Sequence, residues 1–368
     1  FVGDLINMEA SFIFKEFVER ALNNNNYESR TSKKFFDNSN RENYLFNSSI
    51  NGIEESDFIL LIGTNPRFEA TILNSRIRKA YLKNNPKILS INDVGDLTYP
   101  YQSLDGKSQT IKDIFEGNHD ISKEIINSKK PLIILGESFF KAESANYLFY
   151  AIKEFLIKKN KLNDDWNSLN ILSVDAATVG SYDLDIFNKE KDLIQDLKEN
   201  KFEMIYLLGQ DDLDFTKKNE FIIYQGTHGD KGAEIADIIL PGAAYTEQNG
   251  YFTNLEGKVQ KAYKASYPPG NSKEDWQIIN DLAKMLNNRN LFNDKEELES
   301  SMFNYLKLKE EKKNSINSKI NEQKRFINEK INISLKNYYF SNVISRASKT
   351  MIDCHNSKLD IKKTGTEG

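Results

Sequence analysis

The chain has 368 residues, a formal net charge of −4 and 39% hydrophobic residues, which is enough for two domains with buried cores and is typical of a globular protein. This charge balance excludes a broad basic surface for nucleic acid, and no apolar run approaches the roughly 20 residues of a membrane-spanning helix. One Cys excludes a disulfide framework and any all-cysteine zinc site or iron–sulfur cluster built from this chain alone, and 3 widely spaced His exclude a His-rich metal cage.

Short apolar runs that end in Gly recur along the chain and predict buried strands. Runs of this kind, followed by a polar turn, suit strands that are buried on both faces. They lie at 58–63, 131–136 and 204–209, and further apolar runs lie at 87–91, 169–174, 220–224 and 236–240. Because helical or polar connections separate them, the pattern indicates βαβ units with mainly parallel sheets.

The order of these runs predicts two α/β lobes, over residues 1–128 and 129–290. The basic pair Lys129 and Lys130 precedes Pro131 and marks the expected seam. The Asn-rich stretch at 23–49 is interpreted as a polar surface excursion of the first lobe.

The composition changes after Leu286. Residues 291–337 are dense in Lys, Glu and Asn and contain no Gly or Pro, which predicts an amphipathic helical extension docked on the body or on a partner. The apolar face of this helix is expected to carry Ile316, Ile320, Ile327 and Ile331. Residues 338–368 are expected to form a C-terminal docking tail with a frayed end, in which Arg346 contacts a partner.

The common nucleotide and hydrolase motifs are missing from the sequence. No G-x-G-x-x-G follows a strand, and the segment from Gly250 to Gly257 lacks the spacing and the Ser or Thr of a P-loop. The glycines at 226, 229 and 232 fit an anion-binding loop or a tight crossover connection, and the crossover is favoured. There is also no G-x-S-x-G or H-E-x-x-H motif.

Isolated polar residues give weak indications of chemistry. His228 lies in a Gly-rich loop after a strand, but no paired nucleophile accompanies it, so a hydrogen-bonded loop residue is favoured over an acid–base catalyst. Cys354 and His355 are adjacent and cannot supply a four-ligand metal shell. Three carboxylates after Gly209 fit a cation site or, more simply, turn and helix caps; they are Asp211, Asp212 and Asp214.

The segment at 239–260 combines small residues after a strand with fixed polar groups. Glu247, Asn254 and Glu256 fit the lining of a cofactor pocket or an internal hydrogen-bonded connector, and the residues alone leave both open.

Several blocks of sequence resemble the molybdopterin oxidoreductase superfamily and, more narrowly, the large iron–sulfur subunit of respiratory complex I (NADH:ubiquinone oxidoreductase) of the mitochondrial type. These blocks are 57–70 (DFILLIGTNPRFEA), 74–79 (NSRIRK), 96–101 (DLTYPY), 221–232 (FIIYQGTHGDKG), 235–260, 268–279 (PPGNSKEDWQII) and 341–354 (SNVISRASKTMIDC). The last block is the most specific, because the catalytic molybdenum enzymes have no such tail. The match follows the family order but covers only the C-terminal half of the family's protein.

The resemblance implies two Rossmann-like lobes with a C-terminal helical extension, and a subunit split into two chains. The family's iron–sulfur clusters are then expected in a separate partner, the N-terminal half, with FMN in a neighbouring flavoprotein subunit and no cofactor in this chain. We also expect contacts with other peripheral-arm subunits and a location on the matrix side of the mitochondrial inner membrane. The abundance of Asn and Lys over Arg is interpreted as AT-rich, organelle-type codon drift.

The resemblance also implies that the superfamily's cofactor pocket survives here only as structure. Cys354 does not match the position of the molybdenum ligand, and Lys258 stands where the family usually has Arg. No catalytic and no metal-binding residue is therefore expected. The vestigial pocket candidates are Thr64, Asn65, Arg67, His228, Glu247, Asn254 and Glu256. The expected function is a non-catalytic structural half of complex I; the alternative is a fragment of a molybdopterin-dependent, formate dehydrogenase-like oxidoreductase.

Overall fold

The computed structural model describes residues 1–31, 35, 37–313 and 325–364. The strands are β1 (Phe58–Ile62), β2 (Lys87–Ser90), β3 (Gln102–Ser103), β4 (Pro131–Gly136), β5 (Leu169–Leu172), β6 (Met204–Leu208), β7 (Phe221–Gly226), β8 (Ile238–Pro241), β9 (Gly250–Thr253) and β10 (Val259–Ala262). The α-helices are α1 (Met8–Glu16), α2 (Pro66–Glu69), α3 (Thr71–Asn84), α4 (Ser108–Phe115), α5 (Asp120–Asn127), α6 (Glu137–Phe140), α7 (Ala145–Lys158), α8 (Thr178–Asp183), α9 (Leu193–Lys198), α10 (Lys231–Ile235), α11 (Asp275–Asn287), α12 (Lys295–Lys313), α13 (Val343–Ala347) and α14 (Lys349–Thr364). A π-helical turn (Phe17–Ala21) and 3₁₀ turns (Arg41–Tyr44, Asn51–Glu55, Tyr338–Phe340) complete the described elements.

The first sheet has five parallel strands in the order β3-β2-β1-β4-β5. Every residue of β1 is buried, which explains why its sequence is a continuous apolar run instead of an alternating one. Leu60 and its neighbours on one face pack against α4, α5 and α7. Ile59 and Leu61 pack on the other face against α3. The α/β class and the parallel sheets predicted from the sequence are confirmed.

The second sheet is smaller, with parallel strands in the order β6-β7-β8. Val2 forms a parallel bridge with Leu208 and so adds to the β6 edge. Helix α1 covers one face of this sheet, and helices α11 and α12 pack against α1. Phe12, Ile279 and Met302 meet in the resulting core. The antiparallel hairpin β9–β10 forms a separate two-stranded sheet.

The change from one sheet to the other does not fall at the predicted 128/129 seam. Strands β4 and β5 pair in the same sheet as β1, whereas residues 1–3 join the second sheet. The Lys129–Lys130 pair lies in the turn that enters β4, where both backbone N–H groups donate to Asp57, at 2.7 and 2.9 Å. The pair therefore marks a βαβ crossover inside one sheet, and the sheets change between Leu172 and Met204.

The helical extension predicted over 291–337 agrees with the structure in its first part and disagrees with it over residues 325–337. Helix α12 runs over Lys295–Lys313, whereas residues 325–337 are not helical. Ile331 is buried in the core of the first sheet; its N–H donates to the Gly106 carbonyl at 2.9 Å, and its carbonyl accepts from Asn92 at 2.7 Å. Core burial and these long-range hydrogen bonds replace the expected helix. Ile316 and Ile320 lie outside the described residues.

The polar stretch 23–49 is not only a surface excursion, because part of it enters the core. Tyr44 and Phe46 are each 1% exposed. The Tyr44 hydroxyl donates to Asp183 at 2.9 Å, and Phe46 forms an isolated bridge with Asn170. Two aromatic side chains thus anchor an otherwise Asn-rich connection.

Candidate functional site

The crevice at the carboxyl end of the first sheet is the position where open α/β sheets usually bind ligands. Strand β1 is followed in the chain by β2 on one side of it, whereas β4 and β5 lie on its other side. The connections after β1 and β4 therefore run in opposite directions and leave a crevice between these two strands. The turns after these strands are in close contact. An added Cβ at Gly63, whose φ is +64°, would lie 2.4 Å from the Phe139 nitrogen, and one at Gly136 would lie 2.4 Å from Thr64 Cβ.

The polar groups predicted after β1 are engaged within their own loop. The buried Thr64 hydroxyl donates to Glu69, and the Asn65 N–H donates to the same carboxylate at 2.7 Å. The Asn65 side chain caps α2 through the Arg67 N–H and donates to the Val94 carbonyl at 2.9 Å. Arg67 turns to the surface, where it donates to the Asp96 carboxylate at 2.6 Å. These residues shape the turn and do not reach into the crevice.

The C-terminal segment of the chain crosses this crevice. The Ser334 N–H donates to the Ser138 hydroxyl, in the first turn after β4, at 2.9 Å. The Lys336 ammonium donates to Asp4 at 2.5 Å and to Asp175, three residues beyond β5, at 3.0 Å. An enclosed space of ≈ 50 Å³ remains between the segment and the strand ends. Burial raises the pKa of Glu69, which also lines this space.

A wider groove of ≈ 520 Å³ continues from the crevice towards the hairpin turn. Its apolar wall includes Ile50, Phe68, Ile72, Leu255 and Tyr338. Its polar side carries the carboxylates bound to Lys336. The groove is therefore amphipathic, and it is bordered by the same C-terminal segment.

The carboxyl end of the second sheet is closed in a similar way. Arg346 in α13 forms ion pairs with Asp211, which follows β6, and with Asp230 before α10. Asp275 is completely buried nearby and accepts hydrogen bonds from Gln225 and Gln248, each at 2.8 Å. Burial raises the pKa values of both Asp211 and Asp275. A space of only ≈ 50 Å³ remains at this end.

The other pocket candidates lie in separate loops. His228 is half-buried; its Nδ1 lies 2.9 Å from the Thr227 hydroxyl. Glu247 accepts from the Ala244 N–H at 2.9 Å and closes a turn. Asn254 accepts from the N–H groups that complete the hairpin turn. Glu256 lies in the same hairpin turn and accepts from the Ile50 N–H at 2.7 Å, which links the hairpin to the loop before β1.

The structure does not bring the seven candidates together, and none of them lines the three spaces described above. Sequence reasoning missed Asp175, Gln248 and Asp275. A signal for Asp175 was present, since a carboxylate shortly after a buried parallel strand reaches the ligand edge of the sheet. Lys336 carried no such signal, because it belongs to a segment far from these strands in the sequence that reaches the sheet edge only in the folded chain. Asp211 was considered, but its ion-pair partner was not predictable.

The described residues contain no group of three or more His, Cys, Asp or Glu side chains placed to hold a metal ion. Cys354 is exposed on α14, and the His355 ring packs 4.8 Å from that of Phe340. Among the helices described, none is both long enough and apolar enough to cross a membrane.

Comparison with known proteins identifies the family. The molybdopterin oxidoreductase model matches residues 1–285. The chain belongs to the molybdopterin oxidoreductase family. A second model, for the C-terminal region of an NADH-ubiquinone oxidoreductase subunit, matches residues 297–354, a region that includes the segment crossing both crevices. The resemblance drawn from the sequence blocks is thereby confirmed.

The relatives compared with this molybdopterin oxidoreductase family member are subunits of NADH-ubiquinone or NADH-quinone oxidoreductase. The chain is 37% identical to the NADH-ubiquinone oxidoreductase 75 kDa subunit of Reclinomonas americana, over 96% of this chain and 54% of that protein. It is 36% identical to an NADH-quinone oxidoreductase subunit of Rickettsia bellii, over 99% of this chain and 53% of that protein. It is 37% identical to the mitochondrial NADH-ubiquinone oxidoreductase 78 kDa subunit of Candida albicans, over 85% of this chain and 45% of that protein. The chain spans about half the length of these curated relatives.

The molybdopterin oxidoreductase fold implies a pterin dinucleotide with anionic phosphates, and the residues at the strand ends do not fit it. Carboxylates dominate this edge, and burial raises the pKa of Asp175 to about 6. An added phosphate would repel these poorly solvated groups. Two of the cations at hand, Lys336 and Arg346, are already bound to carboxylates of this chain, and a third, Lys141, lines the first crevice near Glu69. No chemical step through that cofactor follows from this site.

Proposed function

We propose that the chain is the non-catalytic structural half of a core subunit of NADH:ubiquinone oxidoreductase, the proton-translocating complex I. In this role it braces the iron–sulfur-bearing half within the peripheral arm while electrons pass from NADH to ubiquinone. The observation that carries the proposal is the C-terminal segment across both strand-end crevices, held by Lys336 and Arg346. Open α/β sheets bind their ligands at this edge, and here the segment leaves little room for a substrate, which favours a structural role over a catalytic one.

The proposal assigns the redox groups to neighbouring chains. The iron–sulfur clusters reside in a separate chain that corresponds to the N-terminal half of the subunit, and FMN resides in the flavoprotein that oxidises NADH. The chain then works on the matrix side of the mitochondrial inner membrane and is organelle-encoded. Support comes from the relatives, which are named as subunits of this enzyme and are about twice as long as the chain.

A second candidate is a fragment of a molybdopterin-dependent, formate dehydrogenase-like oxidoreductase. The match of residues 1–285 to the family model favours it. The acidic strand ends argue against it, since they disfavour an anionic dinucleotide.

Affinity purification of the tagged full chain from mildly solubilised mitochondrial membranes tests the proposal. We expect a Cys-rich partner and the NADH-oxidising flavoprotein to co-purify, together with NADH–ferricyanide reductase activity. Iron and molybdenum in the same eluate are measured by mass spectrometry. Recovery of the chain alone, or with molybdenum and without NADH-oxidising activity, would overturn the assignment to complex I.

A further inference from the structure

The groove of ≈ 520 Å³ beside the first crevice has no part in the function proposed above. We call it the strand-end groove. Its apolar wall presents Phe68, Ile72 and Tyr338, each more than half exposed. The backbone of α3 is fixed beneath Ile72, because Leu73 and Ile77 pack in the core on one face of the first sheet. Several exposed apolar side chains that share one groove mark an interaction site.

The other side of the strand-end groove carries more negative than positive charge. Three carboxylates line it, those of Asp4, Glu69 and Asp175. Lys336 is the only cation among the described residues of this lining. Its ammonium is shared between two of the carboxylates, at 2.5 Å from Asp4 and 3.0 Å from Asp175. The groove therefore combines an apolar wall with an excess of negative charge.

The carboxylates of the groove have too few cations around them. Burial, followed by the charge of Asp4, raises the pKa of Asp175 to about 6, and burial also raises the pKa of Glu69. Lys141 and Glu137 line the enclosed space beyond, and their opposite charges leave the balance unchanged. The side chains of Asp4 and Asp175 are 29% and 24% exposed, so a further positive charge that enters the groove can reach them and is favoured there.

The chemistry of the occupant follows from the two sides of the groove. A purely apolar surface would suit the wall but would bury the carboxylates without a further partner, which costs free energy. A Lys or Arg side chain can lay its methylene stem along the apolar wall and bring its charged end to the carboxylates. A helix with apolar residues at i, i+3, i+4 and i+7 and a basic residue beside them presents both features on one face.

A second copy of this chain does not fit the groove. In a two-fold pairing the same surface lies on both sides of the interface. The carboxylates of Asp4 and Asp175 would then meet either their own counterparts or the apolar wall of the other copy. Both arrangements are unfavourable, because like charges repel and an unpaired charge against an apolar surface loses its hydration. The occupant is therefore a different polypeptide, with positive charge.

We propose that the strand-end groove receives an amphipathic helix of a neighbouring subunit, which packs apolar side chains on Phe68 and Ile72 and donates from a Lys or Arg to Asp4 and Asp175. The exposed apolar wall and the charge of the opposite side support this docking. The inference rests on the proposed function, because the assembled complex supplies the neighbouring subunit. The docked helix adds a second cation to the strand ends that Lys336 covers.

Site-specific photo-crosslinking in the assembled complex tests this docking. Benzoylphenylalanine replaces Phe68, which is 52% exposed on α2, and in a matched control it replaces Phe221, which is 43% exposed on β7. The adducts are sequenced after illumination. We expect the Phe68 variant to capture a segment of another subunit that has helical apolar spacing and a Lys or Arg, and the Phe221 variant not to capture that segment. Capture of a second copy of this chain or of a segment without a basic residue, or no capture at Phe68, would overturn the inference.

Opposite charges at one position test the electrostatic part of the inference. Thr71 is exposed, lines the groove and is the first residue of α3. Thr71→Lys supplies a cation from this chain itself, so we expect the yield of the Phe68 adduct to fall about tenfold. Thr71→Glu, with a side chain of similar length, should leave the yield at or above that of the parent. Adduct yields that do not differ between the two variants contradict the inference, and circular dichroism melting confirms that both variants fold.

Failure of this inference is distinguishable from failure of the proposed function. Absence of the wild-type chain from the NADH-oxidising complex would refute the proposed function itself. Presence of the chain in that complex without the Phe68 adduct would refute only the docking at the strand-end groove.

Discussion

The ammonium nitrogen of Lys336 lies 3.0 Å from a carboxylate oxygen of Asp175. This contact joins the C-terminal segment to the residues that follow β5, and the same ammonium lies 2.5 Å from Asp4. Burial, followed by the nearby charge of Asp4, raises the pKa of Asp175 to about 6, and Lys336 opposes the shift. Two carboxylates at the strand ends therefore depend on one cation from a distant part of the sequence.

Replacing this cation should loosen the C-terminal segment. We expect Lys336→Met to cost about 1 kcal/mol of stability, because the Lys336 side chain is 39% exposed and solvent screens part of the interaction. The amides of 334–342 should exchange faster with deuterium, and the pKa of Asp175 should rise further. The control is Lys284→Met, at an exposed position on α11. Equal exchange in both variants would show that Lys336 does not fasten the segment.

Arg346 was expected to contact a partner subunit, but its ion pairs are within the chain, with Asp211 and Asp230. Arg346→Glu would place three carboxylates together, so we expect the segment around α13 to detach from the second sheet. Limited proteolysis after residue 340 should accelerate several-fold. The matched control is Arg289→Glu, at an exposed position, which should leave the cleavage rate unchanged.

A charge-swap variant distinguishes the loss of the ion pairs from the effect of changing the size and shape of the Arg346 side chain. Arg346→Asp combined with Asp230→Arg restores one opposite-charge pair and should recover most of the protection against proteolysis. Failure of the swap, with a native circular dichroism spectrum, would show that α13 is held by apolar contacts instead.

Seven of the ten described strands were predictable from apolar runs, which are continuous where a strand is buried on both faces, as in β1 and β4. Strands β3, β9 and β10 were not predicted, and β8 is largely exposed instead of buried. The grouping of the strands into sheets was not predictable from the same signal. The pairing of β4 with β1, and of Val2 with Leu208, depends on packing between distant segments. The Lys129–Lys130 pair was mistaken for a domain seam because a polar turn inside a βαβ unit has the same composition as a linker.

The prediction of a helix that includes Ile331 was wrong for a related reason. Helical spacing of apolar residues measures only local periodicity, whereas Ile331 is buried in the core of the first sheet and is hydrogen-bonded to Asn92 and Gly106, which lie more than two hundred positions earlier. The candidate site shows the same limit. Its loop residues, such as Asn65 and Glu247, were recognisable from family blocks, but Lys336 was not, and the ion pairs of Arg346 within the chain were not predicted.

Gly63 allows the turn after β1 to pack against the helix that follows β4. Its φ is +64°, and an added Cβ would lie 2.4 Å from the Phe139 backbone nitrogen. We expect Gly63→Ala to destabilise the chain by at least about 2 kcal/mol, since left-handed strain and a backbone clash combine. The control is Gly95→Ala, where φ is +74° but no atom lies within 4 Å, so that only the strain remains. Urea unfolding of both variants measures the difference, and equal losses would contradict a steric role for Gly63.

Glu9 in the first turn of α1 should make stability depend on pH near neutrality. Its side chain is 1% exposed; one oxygen accepts from the Tyr251 N–H at 2.8 Å, and the other has no hydrogen-bond partner in the described structure. Burial raises the pKa of Glu9 from 4.5 to about 7. Because the folded state holds this proton more tightly than the unfolded state, its contribution to stability is complete below pH 4.5 and is lost as the pH rises through about 7.

Glu9→Gln removes this titration. Relative to the wild type, the variant should gain up to about 3 kcal/mol between pH 4.5 and pH 8, whatever its stability at low pH, because Gln carries no charge to bury. Glu296→Gln, at an exposed position of α12, is the matched control and should follow the wild-type pH profile. Urea unfolding at pH 4.5, 6 and 8 gives the three profiles. A Glu9→Gln profile that runs parallel to the wild type would mean that the buried carboxylate is compensated in both protonation states, and that the junction of α1 with the β9–β10 hairpin is insensitive to pH.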